Sequence, residues 1–274
     1  MLTDIRTMKE ISDFVAGFSG DAVFSDPMAR TAEQLVRNLK TALSQPARYR
    51  VTGIYSGQEL TGVFSFLVNP DERYLEMLVG LSREERAYQE VLDWLRHRFP
   101  AYEADFVFNP NNRLLRKALE ERGAGFDTEQ LRLVWNRLCD GEAGNHVVVP
   151  YEESYREGYL ALHRDEGRYW TGEKVIAAPD RFRIFLALRR GTVVGYIDVT
   201  YPYGENEPYD LFVCEEERRK GYGKALLRKA LAANGSADMA ALVETDNIPA
   251  IRMFRSLGFT DDPSGSSVLA RLAL

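Results

Sequence analysis

The chain has 274 residues, 45% hydrophobic and 28% charged, the balance of a soluble globular protein and not of a disordered one. Its length is generous for one compact domain and suits two of roughly 135 residues each. The formal net charge of −6 argues against a nucleic-acid partner held on a broad basic surface, and no apolar run is long enough to cross a membrane.

In chain order, the start MLTDIRTMKEISDF lacks the basic-then-apolar pattern of a secretory signal, which points to a cytoplasmic protein. Pro46-Ala-Arg48-Tyr49-Arg50 then precedes an apolar segment with Gly62 near its end, and Tyr74-Leu-Glu-Met-Leu-Val follows. The same pattern returns later: Pro179-Asp-Arg181-Phe182-Arg183 and Gly195 lie at an offset of 133, and Tyr209-Asp-Leu-Phe-Val-Cys at 135. The second offset also carries Asn112 onto Asn247, Leu119 onto Phe254 and Gly123 onto Gly258. Ordered matches at nearly constant spacing indicate a duplicated domain. The polar, glycine-bearing connector Asp140–Asn145 divides the chain into residues 1–140 and 145–274. Cys139 and Cys214 form no CxxC, so neither a disulfide framework nor a thiolate metal site is expected.

In the second copy Tyr151–His163 reads as a helix, with Tyr155, Tyr159, Leu160 and His163 at helical spacing. Arg183–Leu188 and Val193–Tyr201 flank Arg189-Arg190-Gly191-Thr192, a hairpin signal. Tyr209–Cys214 is a third strand, and Gly221–Ala233 an amphipathic helix. Met239–Glu244 is a strand, Pro249–Leu257 a helix stopped by Gly258, and Val268–Leu274 is expected to close this copy's sheet.

The chemically loaded segment is Arg218-Arg219-Lys220-Gly221-Tyr222-Gly223-Lys224, between a strand and a helix. Two glycines two residues apart let the backbone approach a bulky ligand and aim successive N–H groups at one point. The helix adds its free N-terminal donors and dipole, and the basic side chains add charge, so a diphosphate fits there. The third glycine of a dinucleotide fingerprint and the Ser or Thr of a P-loop are both missing.

Arg218-x-x-Gly221-x-Gly223, followed by a strand and then Asn247-Ile-Pro-Ala250-Ile-Arg-Met-Phe254-Arg-Ser-Leu-Gly258-Phe259, resembles the GNAT superfamily of N-acetyltransferases across about Arg183 to Phe259. The resemblance implies an α/β (α+β) chain of two tandem GNAT-like domains. Each would be a mixed, mostly antiparallel twisted sheet flanked by helices. It implies acetyl-CoA as co-substrate and no metal. Backbone at Leu211, Phe212 and Val213 would pair with pantetheine amides, with Asn247 and Phe254 on the helix beside that arm. In the first copy Arg86 and Tyr88 stand at the positions of Gly221 and Gly223, with Glu84 and Glu85 close by, so that half is expected to bind no CoA.

Direct acyl transfer to an amine needs a base, donors for the developing oxyanion and an acid for the leaving thiolate. Counting back from Gly221 to the family's glutamate position gives Glu207, with Asp198 or Asp210 acting through water as alternatives. A strand amide near Val213 would meet the oxyanion. The family commonly presents a tyrosine where this chain has Phe254, leaving Tyr201 and Tyr209 as the nearby proton donors. His97, His146 and His163 fall in no recognisable constellation, and Cys214 reads as a small apolar filler. Tyr196, Tyr201, Tyr203 and Tyr209 either line a pocket for a cationic amine or pack in the sheet. The expected partner is a small-molecule amine; the acceptor's identity and any oligomeric state are not legible.

Overall fold

The computed structural model describes residues 1–18, 21, 23, 29, 31–137, 145–163, 165 and 169–274. Cys139 and most of the predicted connector (140–144) lie outside the described residues. The chain forms two compact units, residues 1–132 with 244–246 and 262–274, and residues 133–243 with 247–261.

In the first unit the order is β1 (Leu2–Asp4), α1 (Ser12–Ala16), α2 (Ala32–Ser44), β2 (Tyr49–Ser56), β3 (Glu59–Asn69), β4 (Tyr74–Ser82), α3 (Glu85–Arg98), β5 (Glu103–Phe108), α4 (Arg113–Glu120) and β6 (Gly125–Phe126). The remaining elements are β7 (Gln130–Trp135), β8 (Val147–Pro150), α5 (Arg156–Leu162), α6 (Gly172–Ile176), β9 (Phe182–Arg189), β10 (Thr192–Thr200), β11 (Glu205–Asn206), β12 (Pro208–Val213), α7 (Tyr222–Ala233), β13 (Asp238–Glu244), α8 (Ile248–Arg255), β14 (Phe259–Asp261) and β15 (Val268–Ala273). Among the described residues no helix is long and apolar enough to cross a membrane.

The first unit's sheet runs β1-β2-β3-β4-β5-β15-β6. Alternation along its strands splits the core: Phe64, Phe66 and Val68 of β3 pack with Val91, Leu92 and Leu95 of α3, whereas Val63 joins Leu35 and Leu39 of α2 on the opposite face. The second unit has two four-stranded sheets, β12-β10-β9-β8 and β11-β13-β7-β14. The β9–β10 hairpin turns through Arg190 and Gly191, both at positive φ (50° and 82°), the backbone that a two-residue turn between twisted strands requires.

Two expectations are corrected. Val268–Ala273 does not close the second sheet: it runs antiparallel to β5, from Val268 opposite Phe108 to Ala273 opposite Glu103, inside the first unit. Conversely, Leu133–Trp135 of β7 pairs with β14 in the second unit. Each unit thus borrows a strand from the other half of the chain, and the units do not divide at residues 140–145. The reason is partner choice. Val268, Ala270 and Leu272 alternate into the first unit's core, and such a pattern fits any sheet edge with an apolar face to cover.

The second correction concerns the copies' junctions. In the first unit Ser65 pairs with Val79 and Phe66 with Met77, so Leu78 is bulged out. In the second, Asp198 pairs with Asp210 and Val199 with Pro208, so Tyr209 is bulged out. Matching the bulges sets Ser82 on Val213 and shows that the offset of 135 does not hold here. The first unit connects strand to helix with only Arg83 and Glu84; the second uses residues 214–221. Arg86 and Tyr88 lie inside α3, so the first copy has lost a loop and not merely two glycines.

Candidate active site

Within the second unit β12 ladders to β10 alone among the described strands. β11 starts alongside β13 in parallel, Glu205 opposite Asp238 and Asn206 opposite Met239, and from Pro208 onward the two lines part. The gap is a cleft of about 870 Å³. Leu211, Phe212 and Val213 form one wall and α8 residues Ile248, Ala250, Arg252 and Met253 the other; Arg218, Arg219 and Gly221–Lys224 close one end.

The closing turn is built from left-handed backbone. Arg219 has φ 64° and Gly221 φ 94°, so the chain folds back sharply before α7. Gly221 is the N-cap and no side chain caps α7, which leaves the first-turn amides and the helix dipole to a ligand. A Cβ on Gly223 would meet Met253 Sδ at 3.1 Å, Leu211 Cδ2 at 3.7 Å and Val213 Cγ2 at 3.9 Å, all groups of the cleft wall. This is a cradle that a side chain would fill, and a diphosphate with its pantetheine arm fits it.

The charges around the turn divide. Glu217 is buried and binds both Arg189 and Lys220, the latter Nζ at 3.3 Å. Lys220 is thereby held on Glu217 and does not line the cleft. Arg218 donates from Nε to the Val213 carbonyl at 3.1 Å, fixing strand to turn. Arg219, Lys224 and Arg252 supply further positive charge in the cleft lining. His146, to which the sequence assigns no role, meets the Lys220 carbonyl through Nε2 at 2.8 Å and packs edge-on against Tyr222 at 4.5 Å, buttressing the turn from behind.

Asn247 caps α8, its Oδ1 accepting from Ala250 N at 3.2 Å, and also lines the cleft. Phe254 does not line it: the ring is buried and packs on Phe259 at 5.0 Å. Glu207 is half-buried between β11 and β12, its amide donating to Thr200 Oγ1 at 2.7 Å. Tyr209 stacks edge-on with Phe182 at 5.7 Å, and Tyr201 lies under the Arg183 guanidinium at 3.5 Å. The four tyrosines do not form one cluster, since Tyr196 is fully buried and Tyr203 is 51% exposed. Cys214 is half-buried, its amide on the Val194 carbonyl.

His163 overturns the expectation that the histidines stand alone. Its Nδ1 lies 2.6 Å from Asp165, and its Nε2 3.1 Å from Asp198 Oδ2 and 4.0 Å from Asp210 Oδ2. Tyr159 donates to Asp198 at 2.9 Å and Tyr196 to Asp210 at 2.6 Å. Burial alone would lower the imidazole's pKa, but hydrogen bonds and charge from Asp198, Asp165 and Asp210 raise it on balance. Burial raises the Asp198 carboxyl against the opposing hydrogen bonds of His163 and Tyr159. The ligand atoms of His163, Asp198 and Asp210 lie within 4.8 Å of one another, close enough to share a proton or to hold one cation. The clue in the sequence was His163 on the inner face of a predicted helix; the partners could be paired with it only through strand register.

Residues 145–259 match the model of the acetyltransferase (GNAT) family. No curated protein matches the chain. Among solved structures it is similar to a GCN5-related N-acetyltransferase from Sphaerobacter thermophilus, at 13% identity and TM-score 0.61, covering 100% of this chain and 95% of that one. It is similar also to a GNAT-family acetyltransferase from Colwellia psychrerythraea, at 13% and 0.53 with full coverage of both chains. A tandem GNAT protein from the clavulanic acid biosynthesis pathway aligns at 13% and 0.52, over 100% and 98%. At such identities the likeness is one of fold, and it extends over both halves of the chain.

Proposed function

We propose that this chain, whose residues 145–259 are a GNAT-family acetyltransferase domain, moves an acetyl group from acetyl-CoA to the primary amine of a small molecule in the cytoplasm. The observation that carries this reading is the cleft beside β12, closed by an uncapped helix N-terminus and lined by Gly223 where a Cβ would crowd the wall. The diphosphate sits on the amides of Gly221 to Lys224, with Arg218, Arg219 and Lys224 compensating its charge. Pantetheine lies along Leu211, Phe212 and Val213 as an added strand, with Asn247 across the cleft. That path carries the thioester toward the start of β12.

Acetyl-CoA supplies the activated acyl group; the chain has to position it and handle protons. A carboxylate near the start of β12 takes a proton from the acceptor ammonium, and Glu207 and Asp210 both stand there. A backbone amide of β12 meets the charge growing on the carbonyl oxygen. Phe254 has no proton to give, so Tyr209 or Tyr201 serves the leaving sulfur.

The test is thiol release from acetyl-CoA against polyamines, amino acids, aminoglycosides and lysine peptides. Turnover with a small amine is the expected result. Turnover confined to lysine peptides would make the chain a protein acetyltransferase. Tight CoA binding with no turnover would favour a non-catalytic acyl-CoA-binding module, the reading that the buried Phe254 supports.

A further inference from the structure

Two carboxylates in the second unit sit directly opposite each other on neighbouring strands, Asp198 on β10 and Asp210 on β12. Like charges so placed repel. The Nε2 of His163 faces both, and its other nitrogen is clamped by Asp165. The side chains of His163 and Asp198 are 0% exposed, while that of Asp210 is 12% exposed, so within this trio Asp210 alone opens to solvent. One carboxylate oxygen of Asp198, Oδ1, is buried with no hydrogen-bond partner among the described residues. Burying such a group costs stability that an apolar cluster would not.

The first unit is an internal control. At the positions of Tyr196, Asp198 and Asp210 the matched hairpins place Val63, Ser65 and Val79. Val63 and Val79 pack in an ordinary apolar core with Ile11, Val15 and Leu39. This fold therefore closes the same spot with Val63, Ser65 and Val79, none of them ionisable. What the second unit has in addition is the cleft, and the network touches it. Phe212 lines the cleft, its ring stacks on Tyr196 at 6.1 Å, and Tyr196 stacks on His163 at 5.1 Å. Asp210 lies on the same side of β12 as Phe212, roughly 7 Å along the strand.

We propose that Asp210 takes the proton from the acceptor ammonium, and that His163, clamped between Asp165 and Asp198, is the positioning residue that keeps Asp210 aimed; this rests on the acyltransfer reading above. In the balanced step one N–H bond of the ammonium breaks, its electron pair stays on nitrogen and the proton goes to Asp210. The nitrogen–carbon bond forms as the carbon–sulfur bond breaks, and the second N–H proton ends on the thiol. Asp210 then returns its proton to solvent. Among the described residues, the titratable groups facing the imidazole are Tyr159 from α5, Asp165 from the loop after it, Tyr196 and Asp198 from β10 and Asp210 from β12. α6 brings Gly172 against it.

The experiment measures kcat, CoA affinity and the pH profile of kcat/KM for the intact chain, with the amine that gives the fastest thiol release. Asp210→Asn is expected to lose about 100-fold or more in kcat with CoA affinity unchanged, and to lose more than Glu207→Gln. His163→Asn takes away the imidazole that faces both carboxylates and leaves them to repel each other, so the acid limb moves to higher pH by about one unit or more. Tyr196→Phe deletes one hydroxyl with the ring kept, guards against a misfolded His163 variant, and is expected to move the limb the same way by less. Wild-type turnover in Asp210→Asn, or an acid limb unmoved in both other variants, overturns the assignment and leaves the acyltransferase standing. Activity lost to a chelator and restored by Zn²⁺ overturns it in favour of a metal. CoA binding with no amine acetylated removes the acyltransfer reading and the assignment with it.

Discussion

The junction between the bulged strand and the following helix is built twice in this molecule, and the two versions differ in what they leave open. Both strands bulge four residues before their ends, at Leu78 and at Tyr209; β4 runs parallel to β5 at its start, and β11, just before β12, runs parallel to β13. Both copies also cap the later helix with an asparagine, Asn112 Oδ1 on Leu115 N and Asn247 Oδ1 on Ala250 N. In the second unit the widening gap is the cleft. In the first, Tyr88 fills it: the ring is fully buried, and its hydroxyl donates toward the Gly80 and Ser82 carbonyls at 3.3 and 3.1 Å while accepting from Asn112 Nδ2 at 3.1 Å. Gly80 and Ser82 are the counterparts of Leu211 and Val213. The strand edge that would meet pantetheine is thus occupied by the chain's own phenol, and the asparagine is turned to hold it. In the first copy a side chain fills the splayed strand pair, and in the second the cleft stands there.

The comparison is broken most severely by removing a borrowed strand. A chain ended before Val268 loses the partner of β5 and β6, and takes Val268, Ala270 and Leu272 out of the first unit's core. That loss is set against a total stability of only about 5–15 kcal/mol for an ordinary domain. We expect the first unit to unfold, read as rapid proteolysis within residues 1–132. A resistant fragment of that unit would show that β15 is dispensable.

Next in size is the plug. Tyr88→Ala deletes a fully buried ring, and removals of this kind cost about 3–5 kcal/mol. The opened gap still lacks the residues that correspond to 214–221, so calorimetry is expected to find one CoA per chain, as in the wild type. A second binding event would mean that the splayed strand suffices and the loop does not matter. Third is the turn itself. Gly221→Val puts a β-branched residue at φ 94° and a Cβ 2.9 Å from His146 Cε1, so CoA affinity is expected to fall at least about 10-fold with little change in the first unit.

Much of this site was legible in the sequence because its signals are local. The Arg218–Lys224 turn and the Asn247 cap are set by residues within a few positions of one another, and both line the cleft. The plug was half legible: Tyr88 was visible as a replacement, but a shortened junction cannot be seen while a constant offset is being followed. Strand exchange was not legible, and of the His163 network the members were visible singly but not their meeting. The alternation Val268-Leu-Ala-Arg-Leu-Ala suits either sheet, and which edge it takes depends on the whole fold. His163 meets Asp198 across 35 positions, a distance that only strand register closes.

The smallest effect sharpens the comparison through pH. His163 has a folded pKa raised above its ordinary value, so binding its proton favours the folded state. That contribution is complete below the unfolded value of roughly 6.5 and is lost as pH rises through the higher folded value. Asp198 is also raised and slopes the same way, but its window opens near the ordinary carboxylate value of about 4 and so begins well below that of His163. The second unit should therefore lose stability from about pH 6.5 upward, whereas the first, with Val63 and Val79 at the matching positions, has no such term there. Hydrogen exchange followed separately in β10 and in β3 reads the two units in one sample. His163→Asn should flatten the slope in β10 and leave β3 unchanged; a slope that persists in the variant would assign the titration to another group.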